Sequence, residues 1–309
     1  MKIASRITRL LTVSLFFSLL FLSCEKNESA SSTPAEKEEF AIATSEADAE
    51  AEVIFDDVFN NVLGVNKEVG IGGTGVFSRP AIPVSSENAT INSIEKTYGV
   101  DTTACFSVSF VQASNSSRFP LTVTIDFGRG CTGRDGKVRK GKLVIAYTGP
   151  LFIPKNSATT SFEGFAIDNV QVQGTHKIIN EGSQDKKAFK VIITRAKLSK
   201  DNGNFSEWNS ERTITQAEGG LTPFIALDDA FTITGKASGS VQKDDKFFQW
   251  STEITEALVK KFACRWIVKG SLSFRKSNAT ELLLDYGTGN CDNKAIFTLN
   301  GQAREISLH

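Results

Sequence analysis

Two aspartates are the residues whose type and setting most directly suggest chemistry. Asp126 opens the run Asp126-Phe127-Gly128-Arg129-Gly130-Cys131, and Asp285 opens its second copy, Asp285-Tyr286-Gly287-Thr288-Gly289-Asn290-Cys291. Paired carboxylates can divide acid and base work on one substrate, or hold calcium together with Asp135 or Asp292. Asp-aromatic-Gly-x-Gly is also strand-end turn chemistry, with the glycines supplying positive φ at a bulge. Equivalent positions in a structural repeat are usually structural, which favours the turn. The sulfurs follow the same repeat. Cys105 precedes Cys131 by 26 positions and Cys264 precedes Cys291 by 27. The repeat therefore pairs Cys105 with Cys131 and Cys264 with Cys291, each closed loop contributing about 3–4 kcal/mol in the chain-entropy account. Zinc is the rival use of these thiols, but no Cys-x-x-Cys occurs and the only histidines are His176 and His309.

Other groups weigh less. Arg134, Lys137, Arg139, Lys140 and Lys142 cluster around one hairpin and can meet a phosphate or an acidic glycan; a solvated turn explains them as well. Trp208, Trp250 and Trp266 can stack on sugars or pack in a core. His176 has no acid beside it in the sequence, so a catalytic triad has no support. Glycines 70, 72, 73 and 75 are not followed by Gly-Lys-Ser/Thr, so they read as a linker rather than a phosphate loop. No cofactor and no metal is expected.

These side chains need elements to position them. Residues 44–64 read as a helix: Ser45 as cap, an apolar line through Ala47, Ala51, Ile54, Phe55, Val58 and Val62, and Gly64 as the stop. From about residue 93 the periodicity becomes two. Phe106, Val108 and Phe110 alternate with polar neighbours, as do Leu121, Val123 and Ile125, and a third strand is expected near Lys142–Tyr147. The C-terminal copy repeats this plan through Leu272, Leu284 and Ala295–Leu299. Between them lie candidate strands 162–167, 170–179, 188–198, 205–215, 231–241 and 247–258, separated by turn residues such as Asp201-Asn202-Gly203 and Asp244-Asp245. Alternation along most strands implies one wet face and antiparallel pairing. The expected fold is all-β: a large antiparallel meander curled into a sandwich, clam or barrel, with one N-terminal helix packed on it. The β body, 65–309, carries a disulfide-clipped three-stranded unit near 105–147 and another near 264–301.

Lys2, Arg6 and Arg9 precede the apolar run Leu10–Leu22, too short to span a bilayer, and then Ser23-Cys24. A small residue followed by cysteine resembles the lipobox of bacterial lipoproteins. That resemblance implies removal of residues 1–23 and lipid on Cys24, with an ordinary secretory signal as the alternative; the mostly polar residues that follow read as a flexible tether over 24–43. Residues 25–57 hold eleven acids and two lysines, net −9, whereas residues 58–309 are net +6. Such a body is too weakly basic to bind nucleic acid. The lipobox, the acidic segment, the helix end at Ile54–Leu63 and the run Leu284-Asp285-Tyr286-Gly287-Thr288-Gly289-Asn290-Cys291-Asp292-Asn293-Lys294 together resemble uncharacterised lipoproteins of Bacteroidetes-type bacteria. The resemblance implies an outer-membrane or cell-surface protein, structural or binding a glycan, lipid or envelope protein. A hydrolase of envelope polysaccharide using Asp126 or Asp285 is the alternative.

Overall fold

The computed structural model describes residues 33–64, 105–114, 117–183, 186–218, 230–261, 263–264, 266–275, 281–299 and 301–307. Cys24, the signal segment, the 70–90 connection and the turn at 276–280 lie outside them.

Helix α1 spans Pro34–Leu63, so the expected flexible tether over 24–43 is corrected from residue 34 onward. The cause is a capping box upstream of the expected one. Thr33 accepts from the Glu36 amide at 3.3 Å, and Glu36 accepts from the Thr33 amide at 2.7 Å. Proline follows in the first helical turn, where its missing N–H costs nothing. Phe40, Ala41 and Ala43 are buried and carry the apolar line upstream of Ser45, whose hydroxyl bonds back to the Ile42 carbonyl inside the helix. The other end is as expected: Gly64 caps it at φ 69°.

Among the described residues fourteen strands follow, β1 Ser107–Ser114, β2 Ser117–Asp126, β3 Cys131–Thr132, β4 Val138–Tyr147, β5 Ser157–Ile167, β6 Val170–Asn180, β7 Ala188–Ser199 and β8 Phe205–Glu218 in the first half. The second half holds β9 Ala230–Lys243, β10 Lys246–Lys261, β11 Ile267–Arg275, β12 Glu281–Thr288, β13 Lys294–Leu299 and β14 Gln302–Ser307. They make one antiparallel sheet in chain order, with short β3 pairing β4 off the path. The sheet is not closed into a barrel, and β1 and β14 are its edges.

The sheet curls around the helix. Side chains of α1 meet Arg139 of β4, Phe162 of β5, His176 of β6, Phe189 of β7, Trp208 of β8, Phe248 of β10 and Arg304 of β14. Phe55 alone packs on Phe162, His176 and Trp208, from strands that would span about 14 Å of flat sheet, so the strands bend round it. Register shifts in the β4–β5, β5–β6, β6–β7, β7–β8 and β10–β11 pairs supply the bending. At one of them Gly174 has φ 116°, and a Cβ there would lie 2.7 Å from Ala196 Cα. One continuous apolar core results, with the helix line facing Ile145, Ile178, Val191 and Leu198.

Both cysteine pairs are formed, with Cα–Cα distances of 5.1 Å for Cys105–Cys131 and 5.8 Å for Cys264–Cys291. The strand registers put them at opposite ends of the sheet. The first lies by the start of β4; the second joins the β10–β11 and β12–β13 turns. Replacing Cys264 and Cys291 together by serine should cost about 3–4 kcal/mol of stability, read as a lower urea midpoint that no longer responds to reductant at this bridge. An unchanged midpoint would contradict a structural role.

Candidate functional site

The two repeat aspartates are not brought together. Asp126 lies at the end of β2, and its Oδ1 accepts from the Gly128 amide at 2.8 Å while Lys142 stands 3.4 Å from Oδ2. Asp285 lies toward the other end of the sheet on β12 and accepts from the Gly287 amide at 2.8 Å. Asp135 and Asp292 do the same turn work for Lys137 and Lys294. Three of the five basic residues are also committed: Lys140 donates to Asn169, Lys142 pairs with Asp126, and Arg139 is buried.

The polar groups that do converge lie between the helix and the concave face. The described part of α1 carries nine acids and one lysine, a net −8. Glu38, Glu39, Glu46, Glu50, Glu52 and Asp57 pair respectively with Arg304, Lys246, Lys243, Lys200, Arg212 and Arg139. The acidic N-terminal stretch and the basic body are thus two halves of one interface. Exposed pairs of this kind contribute about 0–1 kcal/mol each, so the buried ones decide the energetics.

Asp48 is the centre of the buried set. Trp208 and Trp250 both donate their indole N–H to its Oδ1, at 2.9 and 3.1 Å. The two indoles come from strands separated by β9, at Gly239, the register partner of both. A Cβ on Gly239 would lie 2.6 Å from the Trp250 ring, so glycine is what lets the rings converge. Burial pushes the Asp48 carboxyl up, opposed by Arg212 and the two indoles. One helical turn on, desolvation pushes Glu52 up to about 7 against the pull of Arg212, although its side chain is still 42% exposed. The charges on Glu52 and Asp48 also reinforce the effect of burial in raising the Tyr286 phenol. Glu52 is therefore one of three described carboxyls, with Asp48 and Asp56, held above their ordinary values along this helical line. Sequence reasoning passed over it; the usable signal was acids at 48, 52 and 56, four apart on one helical line.

His176 is fully buried, stacked on Phe55 with ring centroids 6.2 Å apart, and both ring nitrogens lack a partner. Burial lowers its pKa from 6.5 to about 3. Because the folded value is the lower one, the native imidazole stays neutral while the unfolded chain takes up a proton. Stability is unaffected above pH 6.5 and is lost as pH falls from 6.5 toward 3, by on the order of 4 kcal/mol in all. Glu52 works oppositely: its raised value makes stability fall as pH rises from 4.5 toward 7. His176→Leu should flatten the acid limb of the stability profile below pH 6.5. Parallel profiles for the two proteins would show that another group titrates there.

An open cleft of about 500 Å³ lies beside the first helical turns, between Ile42, Phe248 and the Lys243–Lys246 turn. Among the described residues, no helix is long and apolar enough to cross a membrane. No group of three or more His, Cys, Asp or Glu there could hold a metal ion. Comparison with protein-family models, curated proteins and solved structures finds no match for this chain.

Proposed function

We propose that the chain is a non-enzymatic lipoprotein of the outer membrane or cell surface, held by lipid on Cys24. It serves as a structural or binding protein for a glycan, lipid or envelope-protein partner. One observation carries the binding or structural reading. The concave face, where a curled sheet would keep a substrate, is filled by the chain's own helix. Its deepest carboxylate is engaged by two indoles. What the fold leaves to a partner is the outer face, the two sheet edges and the turns at either end. The anchor reading is supported by the Ser23-Cys24 junction and by the resemblance to Bacteroidetes-type lipoproteins.

Metabolic labelling with an alkyne fatty acid, followed by membrane fractionation, tests the anchor. Label should appear in the native protein, vanish in Cys24→Ala, and co-fractionate with the outer membrane. Label retained in Cys24→Ala would overturn it. Protease shaving of intact cells, with recovery of what accompanies the released body, then separates a surface-binding role from an internal structural one.

A further inference from the structure

The turn joining β4 to β5 projects two large apolar side chains into solvent. Phe152 is 55% exposed and Ile153 45%. Other exposed apolar side chains, such as Val111 and Phe247, stand singly on strands. Poor order does not account for the pair, because the turn is tightly bonded. Pro150 O accepts from the Ile153 amide at 3.0 Å and from Asn156 Nδ2 at 3.0 Å. Leu151 is buried, and its carbonyl accepts from Asn180 Nδ2 at 2.5 Å. Asn180 also exchanges backbone bonds with Lys155 and Asn156, at 2.8 and 2.9 Å. The apolar pair is therefore presented at little further entropic cost to whatever it meets.

Its surroundings indicate what that is. Lys155 is exposed on the same turn, and Lys186 and Lys187 are exposed on the neighbouring β6–β7 turn. The two turns hold three lysines against Glu181 and Asp185. Apolar side chains at a tip with ammonium groups beside them match the interface of an anionic bilayer: hydrocarbon below, phosphate at the level of the lysines.

We propose that the Phe152–Ile153 turn is a second membrane contact, entering the interfacial layer of an anionic bilayer while Lys155, Lys186 and Lys187 meet its headgroups. The orientation this demands rests on the Cys24 anchor proposed above. The Tyr147 hydroxyl donates to the Val62 carbonyl at 2.8 Å, which fixes this turn beside the far end of α1. That end lies about 42 Å from Pro34 at 1.5 Å per residue. Cys24 precedes Thr33 by nine residues, a reach of at most about 32 Å. Lipid at one end and an apolar tip at the other meet one bilayer only when the helix axis rises no more than about 50° from the membrane plane. Tethering then makes the weak second contact intramolecular.

The test uses the lipidated mature protein in vesicles of phosphatidylglycerol and phosphatidylethanolamine, with and without brominated acyl chains. The emission that Phe152→Trp adds to the native signal should shift to the blue on vesicles. It should drop at least about twofold with brominated lipid, as for a side chain roughly 5–10 Å below the headgroups. Adding Ile153→Asp to that protein should abolish the quenching while leaving its melting temperature unchanged. Emission that stays water-like and unquenched on vesicles would overturn the proposal, including the case where the same tip is later found protected by a protein partner. Flotation separates the two readings. If Cys24→Ala floats as well as native protein, the anchor fails, and quenching of Phe152→Trp still reports on the tip.

Discussion

Replacing Arg139 with alanine should lower the free energy of unfolding by about 3–5 kcal/mol, the usual cost of stranding charge in an interior. The guanidinium is completely buried on β4. Its Nε donates to Asp57 Oδ2 at 3.0 Å and its Nη2 to Asp57 Oδ1 at 2.5 Å. Nη1 and Nη2 also donate to the two Asp135 oxygens, at 3.2 and 2.8 Å. A single cation thus ties the helix, the β3–β4 turn and the sheet together. Burial alone would lower the arginine's pKa, but its bonds to Asp57 and Asp135 raise it overall, so the cation persists throughout the working range. Burial opposes ionisation of Asp135 as well, yet its hydrogen bond from Arg139 brings that carboxyl below its ordinary value. The stability it contributes is present above the ordinary 3.8 and is lost as pH falls through the lower folded value. In Arg139→Ala the two carboxylates face one another with no cation between them. Urea unfolding gives the loss directly, and a cycle with Asp57→Ala should show the double variant costing less than the two singles combined. A loss under about 1 kcal/mol, the scale of an exposed ion pair, would mean that this junction does not hold the helix in place.

Asp48→Ala carries the second large effect, about 3–5 kcal/mol. Each of two buried indole N–H groups loses its acceptor, at about 1–3 kcal/mol apiece, and a small void is added. Among the described residues Arg212 still pairs with Glu52. Asp48→Asn retains one acceptor oxygen and removes the charge, so it should cost less than the alanine change. The near-ultraviolet circular dichroism of the tryptophans should weaken in Asp48→Ala and be largely kept in Asp48→Asn. Equal losses for both variants would assign the effect to charge rather than to the shared acceptor.

The strands were legible because each obeys a local rule. Phe189, Val191 and Ile193 alternate with lysine and threonine, and turns such as Asp201-Asn202-Gly203 break the run, so β7 and β8 fall where periodicity puts them. The disulfides were legible because the sequence writes the motif twice. That the meander stays an open sheet was not, since closure depends on register shifts whose residues, such as Gly174 and Arg195, carry no distinct pattern. The early helix start was written in Thr33-Pro34-Ala35-Glu36, but the charged run Glu36-Lys37-Glu38-Glu39 reads as solvated until its partners are known. Those partners are remote: Arg139 is 82 positions from Asp57, and Trp250 is 202 from Asp48. For the same reason Asp48 reads as a helix-cap acid and Arg139 as one more surface base, while Asp126 and Asp285 stand out only because turns repeat.

Everything in this architecture depends on an acidic helix acting as the interior of an open sheet. Native-state hydrogen exchange at the amides of Phe40 through Val62 tests that most directly. Protection equal to that of β5 to β10, lost only with global unfolding, is the expected result. Amides from Phe40 to Ser45 that exchange like a free segment while the sheet stays protected would contradict it.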